Sequence, residues 1–247
     1  MREKMKDNKT VIITGGGTGI GKGIALKLAK NDYNLILASR NVSNLEKVKN
    51  ECLKFINADQ ILTVKTDVTD IESVKNLFNM TIKKFGRLDV LVNNAGVFDG
   101  GPLDELDIST WDKVLNINLR GAFLCLKEAF IIMKPKKSGK IINIGSISGQ
   151  VPRMHSTPYT TSKFALSGLT RAAALEGREH NITVSIIHPG NVLTELRQIR
   201  KEDKDSEPMM DSENIAELVY LSIKLPDNVN LLESVMLPIE QLYVGRG

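Results

Sequence analysis

Short runs of aliphatic and β-branched residues recur along the chain, and each is followed by a longer segment whose apolar residues repeat with a helical period. Six runs predict strands, at residues 10–14, 34–38, 61–65, 88–92, 140–144 and 183–187. Strands that alternate with helices are typical of a parallel sheet. Because these runs are almost continuously apolar, the sheet is expected to be covered by helices on both faces. The pattern therefore predicts a doubly wound α/β fold of three layers.

Two of the intervening segments show a single apolar helical face, formed by Ile20, Ile24, Ala25 and Leu28 in the first and by Val74, Leu77, Phe78 and Ile82 in the second. A further helix is predicted at residues 212–225. The sequence contains no internal repeat and no low-complexity linker, so we expect one domain over residues 1–247. Residues 1–8 are predicted to form a polar tail. Residues 195–211, which are mostly charged up to residue 207, are predicted to form a mobile substrate loop.

The composition is that of an ordinary globular domain, with 42% hydrophobic and 25% charged residues. No apolar stretch approaches the length of a membrane span and residues 1–10 lack the apolar core of a signal peptide, so a cytoplasmic location and no membrane partner are expected. The net charge is +4, but basic and acidic residues are interleaved, which does not suggest nucleic-acid binding. Cys52 and Cys125 are interpreted as buried small hydrophobes, and neither the cysteines nor the three histidines have metal-ligand spacing.

A glycine-rich turn, Thr14-Gly-Gly-Gly-Thr-Gly-Ile-Gly21, follows the first predicted strand and precedes a helix. Glycines there allow a tight turn and a close approach to a pyrophosphate, whose charge the helix N-terminus stabilises. The candidate dinucleotide-binding residues of this turn are Gly15, Thr18, Gly19, Ile20 and Gly21. The alternative is a structural turn without a ligand.

The end of the second strand is where an adenosine ribose is expected, and it reads Ser39-Arg40-Asn41. No carboxylate follows until Glu46, whereas the Arg40 guanidinium suits a 2′-phosphate. The sequence therefore favours NADP(H) over NAD(H), with Thr18 and Lys22 as possible helpers. The alternative is that Arg40 is an ordinary surface arginine.

Tyr159 and Lys163 lie four residues apart on a predicted helix, with Thr157 as its N-cap and Pro158 at its first position. An ammonium near a phenol favours the phenolate, so the two side chains can move a proton near neutral pH. Ser146 follows the strand at residues 140–144, at the carboxyl edge where open α/β sheets bind ligands.

In these motifs the chain resembles the short-chain dehydrogenases/reductases, and specifically their NADP-preferring type with an Asn-Ser-Tyr-Lys tetrad. The resemblance covers residues 9–194 and rests on motifs in the family's order and spacing: the glycine turn, Asp67-Val68, Asn93-Asn-Ala-Gly96, Asn118, Ser146, Tyr159-x-x-x-Lys163 and Pro189-Gly190. It implies a single Rossmann-type domain that holds both cofactor and substrate.

The resemblance also implies a role for each tetrad member. Tyr159 would exchange a proton with the carbonyl or alcohol oxygen, and Ser146 would hydrogen-bond the same oxygen. Lys163 would hold the nicotinamide ribose and favour the Tyr159 phenolate, while Asn118 would anchor a water in a proton relay. Cofactor contacts would come from four short segments: Ser39, Arg40 and Asn41; Asp67 and Val68 at the adenine; Asn94, Ala95 and Gly96; and Pro189, Gly190, Val192 and Thr194 at the nicotinamide.

The resemblance implies a small carbonyl or alcohol compound as substrate. Its pocket is expected to be largely apolar and to include Phe98, Ser148, Val151, Met154, Val192, Leu193 and Leu196. The chain lacks the Asp-Gly-Gly near the C-terminus of many family members and has residues 233–240 there, which weakens inference about the substrate. Two alternatives stay open, a 3-oxoacyl thioester reductase of the same family and a non-catalytic NADP-binding regulator or scaffold.

A homodimer or homotetramer is also expected. The resemblance implies contacts through the two long helices that begin near Thr110 and Thr157. Apolar residues on the first exceed what one buried face needs: Phe123, Leu124, Leu126, Phe130 and Ile131. The alternative is a monomer in which this helix is fully buried.

Overall fold

The computed structural model describes residues 8–194 and 208–243, so Leu196 and most of the predicted loop at 195–211 lie outside the described residues. Seven described strands form one parallel sheet, and two short strands pair separately. The sheet consists of β1 (Thr10–Thr14), β2 (Asn34–Ser39), β3 (Ile61–Lys65), β4 (Val90–Asn93), β5 (Gly139–Ile144), β6 (Ile182–Pro189) and β9 (Glu233–Met236). The short pair is β7 (Val192–Leu193) with β8 (Met210–Asp211). All six predicted strands are present.

Seven α-helices flank the sheet in the described residues: α1 (Gly19–Ala29), α2 (Val42–Cys52), α3 (Ile71–Phe85), α4 (Ile108–Leu115), α5 (Gly121–Lys136), α6 (Thr157–Gly177) and α7 (Ser212–Lys224). One hydrophobic cluster joins the sheet to α1, α2 and α7, and another joins it to α3, α5 and α6. The predicted three-layer, doubly wound fold is confirmed. None of the helices in the described part is long and apolar enough to cross a membrane.

The two faces of β1 show why its sequence is continuously apolar. Val11 and Ile13 enter the cluster with α1, whereas Ile12 enters the opposite one, and all three are fully buried. Successive residues of a strand point to opposite faces, so a sheet covered on both sides needs apolar residues at consecutive positions. The two cysteines are buried on opposite sides, Cys52 with α1 and Cys125 with α3, and burial raises the pKa of each thiol to about 12.

The strand order is β3-β2-β1-β4-β5-β6-β9. The chain leaves β1 toward β2 on one side and returns to place β4 on its other side. This reversal is the topological switch point at which open α/β sheets bind ligands, outside the carboxyl ends of the strands.

Candidate active site

The glycine-rich turn lies at this switch point and has the backbone that its sequence predicts. Gly15 and Gly19 have φ of +66° and +53°, a region that favours glycine. A Cβ at Gly21 would stand 2.6 Å from Nδ2 of Asn94, so a larger residue would not fit. The N-cap residue Thr18 is extended and its side chain makes no capping hydrogen bond. The first turn of α1 therefore presents an N-terminus with neither a side-chain cap nor an acidic residue.

Asn94 fixes the glycine turn against the end of β4. Its Nδ2 donates to the carbonyl oxygens of Thr14 and Gly15 at 3.0 and 3.1 Å. The hydroxyl of Thr14 accepts from the backbone N–H groups of Asn94 and Ala95 at 3.0 and 3.1 Å. These four hydrogen bonds join two loops that lie about 80 residues apart in sequence.

The segment Ser39-Arg40-Asn41 connects β2 to α2 beside the same turn. Asn41 caps α2 by accepting from the N–H of Asn44 at 3.2 Å, and a Cβ at Gly17 would lie 3.1 Å from Cβ of Asn44. Arg40 is exposed. Lys22, in contrast, donates to Glu51 at 2.7 Å, near the far end of α2, and this pairing places it apart from Arg40.

Asp67 and Val68 follow β3 in a tight turn. The carboxylate of Asp67 accepts from the backbone N–H and the hydroxyl of Thr69 at 2.9 and 2.8 Å. These hydrogen bonds hold the pKa of the Asp67 carboxyl below its ordinary value, and the charge of Arg40 adds to the effect. Arg40 and Asp67 therefore belong to one polar edge, next to the buried Val68.

Asn118 lies in a π-helical turn, Asn116–Arg120, which joins α4 to α5. Such widened turns occur often at functional sites. The buried amide accepts from the N–H of Val97 at 2.8 Å and donates to the carbonyl of Val97 at 2.9 Å. Nδ2 also donates to the hydroxyl of Ser162 at 3.1 Å. Asn118 therefore links the loop after β4 to α6.

Tyr159 and Lys163 lie on the first turns of α6. The helix begins at Thr157 with Ser156 as its N-cap, so the predicted cap was one residue too late. Lys163 is buried; its Nζ donates to the carbonyl of Ile144 at 2.9 Å and lies 5.7 Å from the centroid of the Tyr159 ring. Burial lowers the pKa of Lys163 to about 8. The ammonium thus lies between the end of β5 and the Tyr159 ring.

Ser146 follows β5 and caps a 3₁₀ turn, Ile147–Gly149. Its Oγ accepts from the N–H of Ser148 at 3.1 Å, and Ser148 is only 2% exposed. This contact fixes the direction of the Ser146 hydroxyl.

The segment after β6 faces the glycine turn from the opposite side. The N–H of Gly190 donates to the carbonyl of Met236 at 2.7 Å, and the side chain of Gln241 accepts from the N–H of Asn191 at 2.8 Å. A Cβ at Gly19 would lie 3.0 Å from Cγ2 of Thr194. Thr194 therefore lies close to the start of α1.

The predicted pocket residues are more dispersed than the tetrad. Phe98 lies edge-on to Tyr159, with ring centroids 4.9 Å apart, and is 56% exposed. Val151 and Met154 are also exposed, at 37% and 83%. Leu193 lines a cavity of about 380 Å³ between α1 and the start of α7, and Phe98, Val151 and Met154 are absent from its lining.

Two polar groups behind the site received no role from the sequence, although Asn93 belongs to a motif that it contains. Asn93 donates to Oδ1 of Asn143 at 3.0 Å, and Asn143 donates to the hydroxyl of Thr170 at 2.8 Å, which joins β4, β5 and α6 inside the core. The second group is formed by His188 and Glu233, which contact the backbone and side chains around Ser146. The available signal was the position of His188 in an apolar strand, directly before Pro189-Gly190.

The family model described as short chain dehydrogenase matches residues 9–205 of the chain. The protein is a short-chain dehydrogenase. This short-chain dehydrogenase is 31% identical to an uncharacterized oxidoreductase of Staphylococcus aureus strain MW2, over 94% of its own length and 98% of the relative's. It is 36% identical to trans-4-hydroxycyclohexanecarboxylate dehydrogenase of Sinomonas cyclohexanicum, over 76% of its own length and 74% of the relative's.

Solved structures agree with this family assignment. The structure of ElxO with NADP bound is 32% identical, with a TM-score of 0.86 and coverage of 93% of this short-chain dehydrogenase and 97% of ElxO. Levodione reductase is 29% identical, with a TM-score of 0.86 and coverage of 92% and 95%. The chain therefore belongs to a family of oxidoreductases that act on small molecules.

Proposed function

We propose that the protein is an NADP(H)-dependent oxidoreductase that interconverts a small carbonyl compound and its alcohol, with Tyr159 as general acid and base. The observation that carries the proposal is the buried ammonium of Lys163, 2.9 Å from the Ile144 carbonyl and 5.7 Å from the Tyr159 ring. A buried ammonium is costly unless it is compensated, so its position beside a phenol favours a chemical role. A protein that only binds the dinucleotide needs neither Tyr159 nor Ser146.

The residues divide the reaction as follows. Tyr159 gives a proton to the carbonyl oxygen in reduction and takes it from the alcohol in oxidation. Ser146 donates a hydrogen bond to the same oxygen, and Lys163 stabilises negative charge on the Tyr159 oxygen. Asn118 anchors the water of a proton relay and holds the loop at Val97. The nicotinamide, when bound, supplies or accepts the hydride.

The glycine turn fits a pyrophosphate, because Gly15 and Gly19 adopt a positive φ that favours glycine and the turn ends in a helix N-terminus without a side-chain cap. Ile20, Gly21 and Thr18 complete this contact. Asn94, Ala95 and Gly96 line the adenosine side, and Pro189, Gly190, Val192 and Thr194 flank the nicotinamide. The preference for NADP(H) is supported by exposed Arg40 at a strand end that lacks a carboxylate. ElxO, a structural relative, is described with NADP bound.

A homodimer or homotetramer through α5 and α6 is part of the proposal. Leu126 is buried, and Leu124 and Phe130 pack against the chain's own core, so these three residues do not need a partner. Phe123 and Ile131 are 45% and 58% exposed. On α6, Phe164 and Leu175 are 45% and 61% exposed. Burial of these side chains against a second copy would stabilise an oligomer. Light scattering after gel filtration should therefore give a mass of two or four chains of 27.3 kDa each.

The test of the function is oxidation of NADPH and of NADH, followed by absorbance, with a panel of aldehydes, ketones, diketones and a 3-oxoacyl thioester. Turnover with NADPH that Tyr159→Phe abolishes, while NADPH binding persists, is the expected result. Tyr220→Phe is the matched control, since this phenol lies on α7 against Tyr33. Tight NADPH binding without turnover of any substrate would favour the regulator or scaffold. Turnover of the thioester alone would favour the 3-oxoacyl reductase.

A further inference from the structure

His188 lies at the end of β6 and is fully buried directly behind Ser146. Its Nδ1 is 2.8 Å from the carbonyl oxygen of Ser146, which also accepts from the N–H of Gly149 at 2.8 Å. A Cβ at Gly145 would lie 2.8 Å from this Nδ1, so the imidazole packs closely against the chain that leads into Ser146. The histidine therefore contacts the backbone of the proposed catalytic serine directly.

The chemistry of this contact fixes the tautomer of the imidazole. A carbonyl oxygen only accepts hydrogen bonds, so Nδ1 must carry the proton. The other ring nitrogen, Nε2, faces Oε1 of Glu233 at 3.3 Å. In the neutral ring Nε2 is an acceptor that faces a carboxylate, and protonation of the ring turns this contact into an ion pair.

Glu233, on the neighbouring strand β9, holds the same segment by a second route. Its Oε1 accepts from Nε2 of Gln150 at 2.7 Å, and Gln150 follows the 3₁₀ turn that begins after Ser146. Oε2 accepts from Arg171 of α6 at 2.8 Å. One carboxylate thus contacts β6, α6 and the active-site segment, while its side chain stays 24% exposed.

We propose that His188 and Glu233 are positioning residues that fix the segment from Ser146 to Gln150, His188 at its first residue and Glu233 at its last. The inference rests on the proposed function for its catalytic consequence. Neither residue touches the reacting atoms; each acts on the direction of the Ser146 hydroxyl through the backbone that carries it. Displacement of a reacting group by about 1 Å can cost on the order of 100-fold in rate, so a loose segment should lower kcat.

Charged groups on α6 and β9 determine the protonation of His188. Burial lowers the pKa of His188, and the charge of Lys163 on α6 acts in the same direction. The Ser146 carbonyl and Glu233 oppose this decrease, and Glu233 is itself bound to Arg171. Loss of the Glu233 charge should therefore lower the pKa of His188 further.

The first test determines which ring nitrogen of His188 carries the proton, and it does not depend on activity. Nitrogen-15 spectra of the three histidines should show one imidazole protonated at Nδ1, which His188→Asn removes from the spectrum. In Glu233→Gln its titration should move to lower pH. An Nε2-protonated neutral ring at this position would overturn the assignment.

The second test compares amide hydrogen exchange with kinetics. His188→Leu should speed exchange at Ser148 and Gly149 and lower kcat by about 10- to 100-fold, with the Kd for NADPH unchanged. His188→Asn keeps a donor near the Nδ1 position and should recover most of that loss. Glu233→Gln should change exchange and kcat in the same direction. It is also the informative variant if His188→Leu does not fold, because Glu233 is partly exposed. The matched control is Glu72→Gln, which removes the exposed pair with Lys75 on α3.

The outcomes separate the two proposals. Faster exchange in the variants of an enzyme that turns over no substrate would retain the positioning role and reject the proposed function. Normal turnover by the native enzyme, with exchange and kcat unchanged in His188→Leu and Glu233→Gln, would reject the positioning role alone.

Discussion

Asn118 pairs with the backbone of Val97 through both atoms of its amide, at 2.8 and 2.9 Å. The pairing resembles one rung of a sheet, except that one partner is a side chain from a π-helical turn. A Cβ added at Gly96, the residue before Val97, would lie 3.3 Å from the same amide oxygen. The loop after β4 is therefore held by Asn118 as well as by the sheet.

Substitution Asn118→Ala should lower both stability and kcat. It removes the hydrogen bonds to the partly buried N–H and carbonyl of Val97, each of which contributes about 0.5–1.5 kcal/mol, and it removes the proposed anchor of the relay water. Denaturant unfolding and steady-state kinetics measure the two effects. Asn116→Ala is the control, because Asn116 is exposed on the same π-helical turn. Equal kcat in the two variants would argue against a role for Asn118.

The ammonium of Lys163 gives stability a defined dependence on pH. Its pKa is about 8 in the folded chain and near 10.5 in the unfolded chain, so between these values the unfolded chain binds more protons. The free energy of unfolding attributable to Lys163 should therefore rise from pH 8 to pH 10.5 and stay constant below pH 8.

Comparison of the native protein with Lys163→Met by denaturant unfolding, without nucleotide, measures this dependence. The difference in unfolding free energy should shift in favour of the native protein as the pH rises through 8. Lys75→Met is the control of opposite sign. Glu72 raises the pKa of Lys75, so the contribution of Lys75 to the free energy of unfolding decreases only near pH 10.5 and above. A difference for Lys163→Met that stays constant to pH 10 would contradict a desolvated ammonium.

The substitution Arg40→Ala should weaken the binding of NADPH far more than the binding of NADH. A hydrogen bond to a charged group contributes about 1.5–3 kcal/mol, which corresponds to roughly 10- to 100-fold in Kd for a lost phosphate contact. Fluorescence titration with each nucleotide measures the ratio. Lys22→Ala is the comparison, since its ammonium pairs with Glu51, and it should leave the ratio nearly unchanged. An equal loss of affinity for NADPH and for NADH in Arg40→Ala would contradict the preference for NADP(H).

The fold could be predicted because the spacing of the apolar residues indicates which segments form strands and which form helices. Residues 11–13 are apolar at consecutive positions because Val11 and Ile12 enter different hydrophobic clusters, and this requirement is visible in the sequence. The glycine turn was equally visible, since a φ of +66° at Gly15 favours glycine.

The contacts of His188 and Glu233 could not be predicted in the same way. They lie 45 residues apart and meet because β9 adds to the sheet beside β6. No local period records which strands become neighbours. A histidine in a strand is also compatible with a solvated end, and only its complete burial shows that its ring must find partners inside the protein. Phe98 differs again, because its contact with Tyr159 depends on the shape of an irregular loop.

Phe98→Ala should change the selectivity for substrate size with little effect on NADPH affinity. The rings of Phe98 and Tyr159 form a T-shaped pair with centroids 4.9 Å apart, and Phe98 is 56% exposed, so its ring occupies space beside the proposed proton donor. Its removal opens that space and loses an aromatic contact of about 0.5–1.5 kcal/mol. The ratio of kcat/KM for bulky ketones to that for small ketones should therefore rise. Phe55→Ala is the matched control, since Phe55 is 48% exposed near Lys30, after α2. An unchanged ratio in Phe98→Ala, or the same change in Phe55→Ala, would remove Phe98 from the substrate pocket.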